Sequence, residues 1–215
     1  MRRWTIMVLW LMAAALPVSA QYNVKNMMEE GRRQLDLGYY VVAMQIFGRI
    51  AAVKPHLYEA WYLSALCKYR LEDFKGAAED GSRALALQPY ITDIFDLHAM
   101  ASMRLERYDS AAVDYTRALE LDDDNRNYWY NRAYAIYMGG DSATARQQLD
   151  YIIRRWPLFQ QAQWLLGMVK KGIRPAASKA PTLPTRSYWL PSLPKLSDDK
   201  DGKTQLMRNP LLPKK

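Results

Sequence analysis

The residues of this 215-residue chain that could do chemistry fall into four small groups, and each lacks a partner that its chemistry requires. Asp122, Asp123 and Asp124, followed by Asn125, have the oxygen density of a calcium loop. An EF-hand also needs Gly at its sixth place and Glu at its twelfth, and counted from Asp122 those places hold Asn127 and Ala133. His56 stands beside Pro55 in a turn, and His98 lies in a helical stretch with no second ligand four residues away, so neither begins a zinc site. Cys67 is the single cysteine, which excludes an internal disulfide. Beside Leu66 on an apolar stretch it reads as a small packed hydrophobe. Gly139, Gly140 and Asp141 make a turn, since a phosphate cradle needs a preceding strand and more glycines. With no Ser/His/Asp or paired-carboxylate constellation, the sequence reads as a non-enzyme that uses no cofactor and no metal.

These residues stand in a periodic frame. Gly31, Ala65, Ala99, Ala133 and Gly167 fall in one column at a period of 34, and Ala43, Ala77, Ala111 and Ala145 fall in another. Bulky residues accompany them: Met27, Trp61, Phe95 and Trp129 in one column, and Tyr40, Phe74 and Tyr108 in a second that Ser142 breaks. Within a unit, apolar residues recur every three or four positions over 58–71 and again over 75–87, with Glu72, Asp73 and Phe74 between them, so each unit is predicted to be a helical hairpin. Small columns mark where helix axes must approach to about 8–10 Å. Pro55, Pro89 and Pro157 end the units by removing an N–H donor, and Asp122 to Asn125 supply turn and capping groups where proline is missing.

The columns resemble the tetratricopeptide repeat family, most fully in AWYLSALCKYRLEDFKGAAEDGSRALALQP from Ala60 to Pro89. The resemblance implies an all-α fold: an α-solenoid of tandem hairpins over about 24–57, 58–91, 92–125 and 126–159, closed by a capping helix over 160–172. Departures are Gly81, where Phe47 and Tyr115 place an aromatic, Ser142 in the loop column, and Met27 and Glu30 in the first unit.

In this family the first helices of the hairpins line a concave peptide-binding groove. Carried onto this sequence, the resemblance makes Met28, Arg32, Tyr62, Leu66, Tyr69, Arg70, Asp96, Met100, Met103, Arg104, Tyr130, Tyr134, Tyr137 and Trp164 the groove residues. Tyr and Met are suited to anchoring a partner, and Arg32, Arg70, Asp93, Asp96 and Arg104 are suited to selecting it. The alternative for this stripe is structural packing between neighbouring hairpins. Where the family clamps a terminal carboxylate this chain has Met28, Arg32, Leu63, Asp93 and Leu97, so a chaperone-tail clamp is not expected.

The flanks differ from the frame. Arg2 and Arg3 precede an apolar run from Trp4 to Leu16, and Val18 and Ala20 follow in the positions a signal peptidase reads, so residues 1–20 are expected to be a cleaved signal peptide. The alternative is an uncleaved anchor, for which the run is shorter than the roughly 20 apolar residues a bilayer core needs. Export would place the protein in the periplasm or cell envelope. The formal charge is +8, but residues 21–172 are balanced, and the excess lies in the signal and in 173–215, where nine basic residues face three acidic ones. A neutral repeat domain offers no electrostatic footprint for nucleic acid, so the expected partner is a protein or peptide. Residues 173–215 also hold seven of the eleven prolines and read as a Pro-rich basic disordered tail. Its Tyr188, Trp189 and Leu190 are candidate docking residues, in cis on the groove or in trans on another protein, while its lysines and arginines suit peripheral contact with an anionic envelope surface. Two functions follow: an adaptor or scaffold that works through the groove, or an envelope tether that works through the tail with the repeats as spacer.

Overall fold

The computed structural model describes residues 23–176 and residue 181. The signal segment and Tyr188, Trp189 and Leu190 lie outside the described residues. Within them the chain is all-α, and no described helix is long and apolar enough to cross a membrane. In chain order the helices are α1 (Val24–Asp36), α2 (Tyr40–Val53), α3 (Tyr58–Arg70), α4 (Phe74–Leu87), α5 (Thr92–Arg104), α6 (Tyr108–Leu121), α7 (Arg126–Gly139), α8 (Ser142–Arg155) and α9 (Gln160–Lys171). Successive helices pack as antiparallel hairpins, the tandem arrangement that the 34-residue columns predict.

The same local devices recur along the chain. Asn23, Asp73, Asn125 and Asp141 cap helix starts by accepting from backbone N–H groups two or three residues on. Each hairpin turn is closed by a residue in the left-handed region: Gly38 at φ 81°, Glu72 at 64°, Glu106 at 59° and Gly140 at 108°. The N–H of the residue after each one reaches back to a carbonyl in the last turn of the helix, as in Asp73 N to Lys68 O at 2.9 Å and Arg107 N to Ser102 O at 2.9 Å. Between units, Trp61 Nε1 donates to Pro55 O, Trp129 Nε1 to Asp123 O and Gln163 Nε2 to Pro157 O, so a side chain near the start of α3, α7 and α9 ties down the turn ahead of it.

The small columns do what their size dictates. Ala65, Ala99 and Ala133 are wholly buried, as are Ala43, Ala77, Ala111 and Ala145. At Gly31 a β-carbon would come within 2.6 Å of the Phe47 ring, so only glycine lets α1 and α2 close. Gly167, the last of its column, has open space instead, because among the described residues no second helix follows α9. Alternate first helices also touch, α3 with α5 and α7 with α9 along their backbones and α1 with α3 through Arg32 and Glu59. First helices therefore form the inner, tighter layer of the curve and second helices the outer one.

Candidate functional site: the inner face

Positions that the 34-residue frame makes equivalent on the first helices fall along one continuous strip. Four apolar or aromatic groups, Leu66, Met100, Tyr134 and Met168, follow one another along α3, α5, α7 and α9. Tyr62, Asp96, Tyr130 and Trp164 form the next row. Electrostatic coupling crosses the helices: the Tyr62 phenol is raised by burial, then by the charges of Asp93 and Asp96, with Arg70 opposing. Tyr69 is raised by burial, with Arg104 and then Arg70 opposing.

Burial divides the predicted residues. Met28, Tyr62, Leu66, Tyr69, Asp96, Met100, Met103, Tyr130, Tyr134 and Tyr137 each expose less than a tenth of their surface. Arg32 and Arg70 are partly exposed, and Arg104 and Trp164 are exposed. The first set forms a floor and the second its accessible rim. Tyr130 meets Phe159 edge-on at 5.7 Å, and the Tyr137 hydroxyl donates to Met168 O at 3.5 Å, so α7 and α9 are joined through the floor itself.

The floor is polar at one point. The Tyr115 hydroxyl, from α6, donates to Asp96 Oδ1 at 2.7 Å and accepts from Asn131 Nδ2 at 3.2 Å. Burial pushes the Asp96 carboxyl up to about 7, against the Tyr115 hydrogen bond and with help from neighbouring Asp93. Asp93 itself is pushed up to about 6 by burial. In the frame Asp93 is equivalent to Glu59, which is buried, raised by desolvation, and paired with Arg32 at 3.3 Å. Acid thus gathers where the first helices begin and Arg70 and Arg104 stand where they end, each sign at the helix terminus whose dipole favours it.

One set of residues escapes a reading of the sequence. The second, third and fourth hairpins are each cross-linked by polar side chains 16 positions apart: Ser64 Oγ to Asp80 at 2.7 Å, His98 Nδ1 with Asp114 at 2.7 Å, and Arg132 Nε to Gln148 at 3.2 Å. Lys68 adds an ion pair to Asp80 at 2.6 Å. His98 also meets Ser82 through Nε2 at 3.0 Å and lies over Gly81, where a β-carbon would stand 3.3 Å from the ring. The missing aromatic at Gly81 is thereby explained: its space is taken by an imidazole from the next hairpin. Asp80 and Asp114 stand 34 apart in the sequence, as do Ser64 and His98, and that joint periodicity is the signal that could have found them. Cys67 is enclosed, and burial pushes its thiol up to about 12. Among the described residues no group of His, Cys, Asp and Glu is placed to hold a metal ion.

Residues 28–90 and 97–158 match the tetratricopeptide repeat family. No curated protein matches the chain. Among solved structures, MamA is similar at 16% identity and a TM-score of 0.65, over 70% of this chain and 84% of that one. YrrB, described as a TPR protein with an unusual peptide-binding site, is similar at 15% identity and a TM-score of 0.65, over 71% of this chain and 79% of that one. The first TPR of Spaghetti (RPAP3), bound to an HSP90 peptide, is similar at 23% identity and a TM-score of 0.52, over 57% of this chain and 97% of that one. At these identities the likeness is one of fold.

Proposed function

Since the chain belongs to the tetratricopeptide repeat family, whose members serve protein interaction, we propose that it is a non-catalytic adaptor holding a peptide or protein segment along its inner face. The observation that carries this reading is the strip itself: a Tyr and Met floor between an acidic edge at Glu59, Asp93 and Asp96 and a basic edge at Arg70 and Arg104. A segment lying along such a strip meets the accessible rim first, Arg32, Arg70, Arg104 and Trp164 above the apolar floor, so the exposed arginines select its charge. The peptide-binding site of YrrB and the peptide bound to the first TPR of Spaghetti, both on the same fold, support the reading.

We further place the adaptor in the cell envelope, on the strength of the basic, apolar and small-residue order of residues 1–20. Mass spectrometry of the exported chain should find Gln21 as its first residue, and a retained Met1 would withdraw the location. The function is tested by crosslinked capture from the envelope with the parent and an Arg104→Glu, Trp164→Ala variant. Both side chains are exposed, so their replacement spares the core. Loss of one discrete partner supports the inner face. An unchanged partner set transfers the function to the basic tail as an envelope tether, a reading that would also show as a steep loss of binding with added salt.

A further inference from the structure

Helix α2 breaks a pattern that the other outer helices keep. Toward the core it presents Ala43, Phe47, Ile50 and Ala51, all buried. On its other side Val41, Val42, Ala52 and Val53 are exposed, and the three valines leave between 45% and 50% of their surface open. Gln45 and Arg49 are the only exposed polar side chains on the helix, and a β-carbon at Gly48 would meet nothing within 4 Å. At the equivalent places α4 exposes Lys75, Glu79 and Arg83, α6 exposes Asp109, Arg117 and Glu120, and α8 exposes Arg154 and Arg155. A helix that is apolar all round belongs in an interior, and the outer face of a terminal repeat is ordinarily polar. The outer face of α2 therefore calls for a cover that its counterparts do not need.

That face reads alike in both directions. Taken from the level of Phe47, Val41 and Val42 lie as far toward the start of α2 as Val53 and Ala52 lie toward its end, and Gln45 lies as far before that level as Arg49 lies after it. Two copies of α2 laid antiparallel across a two-fold axis at that level share layers in which Val41 meets Val53, Val42 meets Ala52 and Gln45 meets Arg49. In the last of these the guanidinium donates to the amide oxygen, so the two polar side chains of the face satisfy each other. Gly48, with no side chain in the way, lets the two axes approach. A surface whose apolar, small and polar groups are all matched by its own reverse is fitted to a second copy of itself.

We propose that the chain forms a two-fold dimer through the outer face of α2, antiparallel about the level of Phe47, with Gln45 of each copy paired to Arg49 of the other. The extent of the face suffices. Tyr39, 59% exposed and three residues before Val42, continues it at the start of the helix. With Tyr39 included, the face offers roughly 650 Å² per copy, so the pair buries on the order of 1,300 Å², at the lower end of specific interfaces. Helix α2 belongs to the outer layer, so dimerisation leaves the inner face of each copy open. A dimer built this way carries two inner faces and would hold two segments at once. The pairing itself stands whether or not the inner face is the binding surface.

The test is sedimentation equilibrium of the chain from Gln21 to Lys215 between about 1 and 200 μM, the range in which an interface of this size is expected to dissociate. The expected result is a monomer–dimer equilibrium with no larger species. Gln45→Arg sets two cations in one layer and should weaken the dimer at least about tenfold, whereas Gln45→Glu should tighten it about threefold or more. Gln45→Arg combined with Arg49→Glu exchanges the two sides of the pair and should bring the dimer back, which a fault in folding would not allow. Both positions are exposed, so circular dichroism should show the parent helical content in every variant. A monomer at every concentration overturns the proposal and gives the face to residues 1–22 or to a different protein. A dimer indifferent to Gln45→Arg, or one that the second change does not restore, overturns it as well by placing the contact elsewhere. None of these results bears on the envelope capture, which reads the inner face.

Discussion

The two layers of the solenoid are built from helices of similar length and differ in what they bury. The inner layer encloses Tyr62, Tyr134 and Asp96 nearly completely, while the outer layer leaves Val113 61% exposed and Leu121 39% exposed. Inner residues couple from hairpin to hairpin, as Tyr62 does with Asp93 and Asp96, whereas an outer pair such as Arg117 with Glu120 is local, on one helix, and solvated. The difference teaches that tightly curved helices make a continuous medium and loosely spaced ones make independent surfaces. A perturbation should therefore spread inside and stay put outside.

The most severe way to break that contrast is Tyr62→Ala. If the inner layer is packed as described, denaturant melts should show a loss of about 3–5 kcal/mol, the range for a fully buried aromatic. A loss under about 1 kcal/mol would mean the floor is an open surface like the outer one. Next in size is Asp96→Asn. The Asp96 carboxyl stands at about 7 in the folded chain, above the roughly 3.9 of an unfolded one, so between those values the folded chain keeps a proton that the unfolded chain has released. Its contribution to stability is complete below about pH 4 and lost as the pH rises to about 7, so the variant should gain on the parent by on the order of 2–4 kcal/mol over that window. Melts of both proteins across the window measure the gain, and parallel curves would place Asp96 in water.

Between the layers, His98→Ala removes the partner of Asp114 and of Ser82 and should lower stability by about 1–3 kcal/mol in the same melts. A smaller effect of opposite sign is expected at a turn. Glu106 sits at φ 59°, a region in which a side chain is strained, so Glu106→Gly should raise stability by up to about 1 kcal/mol, and no rise would show the turn is held by other forces. Val113→Ser, on the outer face, should change stability by no more than about 0.5 kcal/mol.

Much of the frame was legible because size at a helix crossing is a local demand: Ala99 or Ala111 could hardly be larger, and the period exposed them. The turn at Gly140 was legible for a different reason, since paired glycines before Asp141 mark a backbone that needs positive φ, but Glu72 and Glu106 adopt the same backbone without the residue that advertises it. The candidate face was legible as a face and illegible as a depth. Helical spacing says that Tyr62, Leu66 and Tyr69 share a side, but how far α3 and α5 close over them depends on curvature summed over hairpins, which no single spacing encodes. His98 reads as an isolated residue in the sequence because its partners are 16 positions away in either direction, at Ser82 and Asp114, a distance that matters only once the hairpins have closed.

Cys67 gives the fold a clock. Its thiol is enclosed at the second hairpin and, with burial pushing it up to about 12, carries almost no thiolate at neutral pH while the hairpin is shut. Oxidants and alkylating reagents can reach it only during the intervals when α3 parts from its neighbours, so the speed of its modification counts local openings rather than chemical reactivity. A protein with one cysteine placed there records, as accumulated modification, how often its second repeat has come apart.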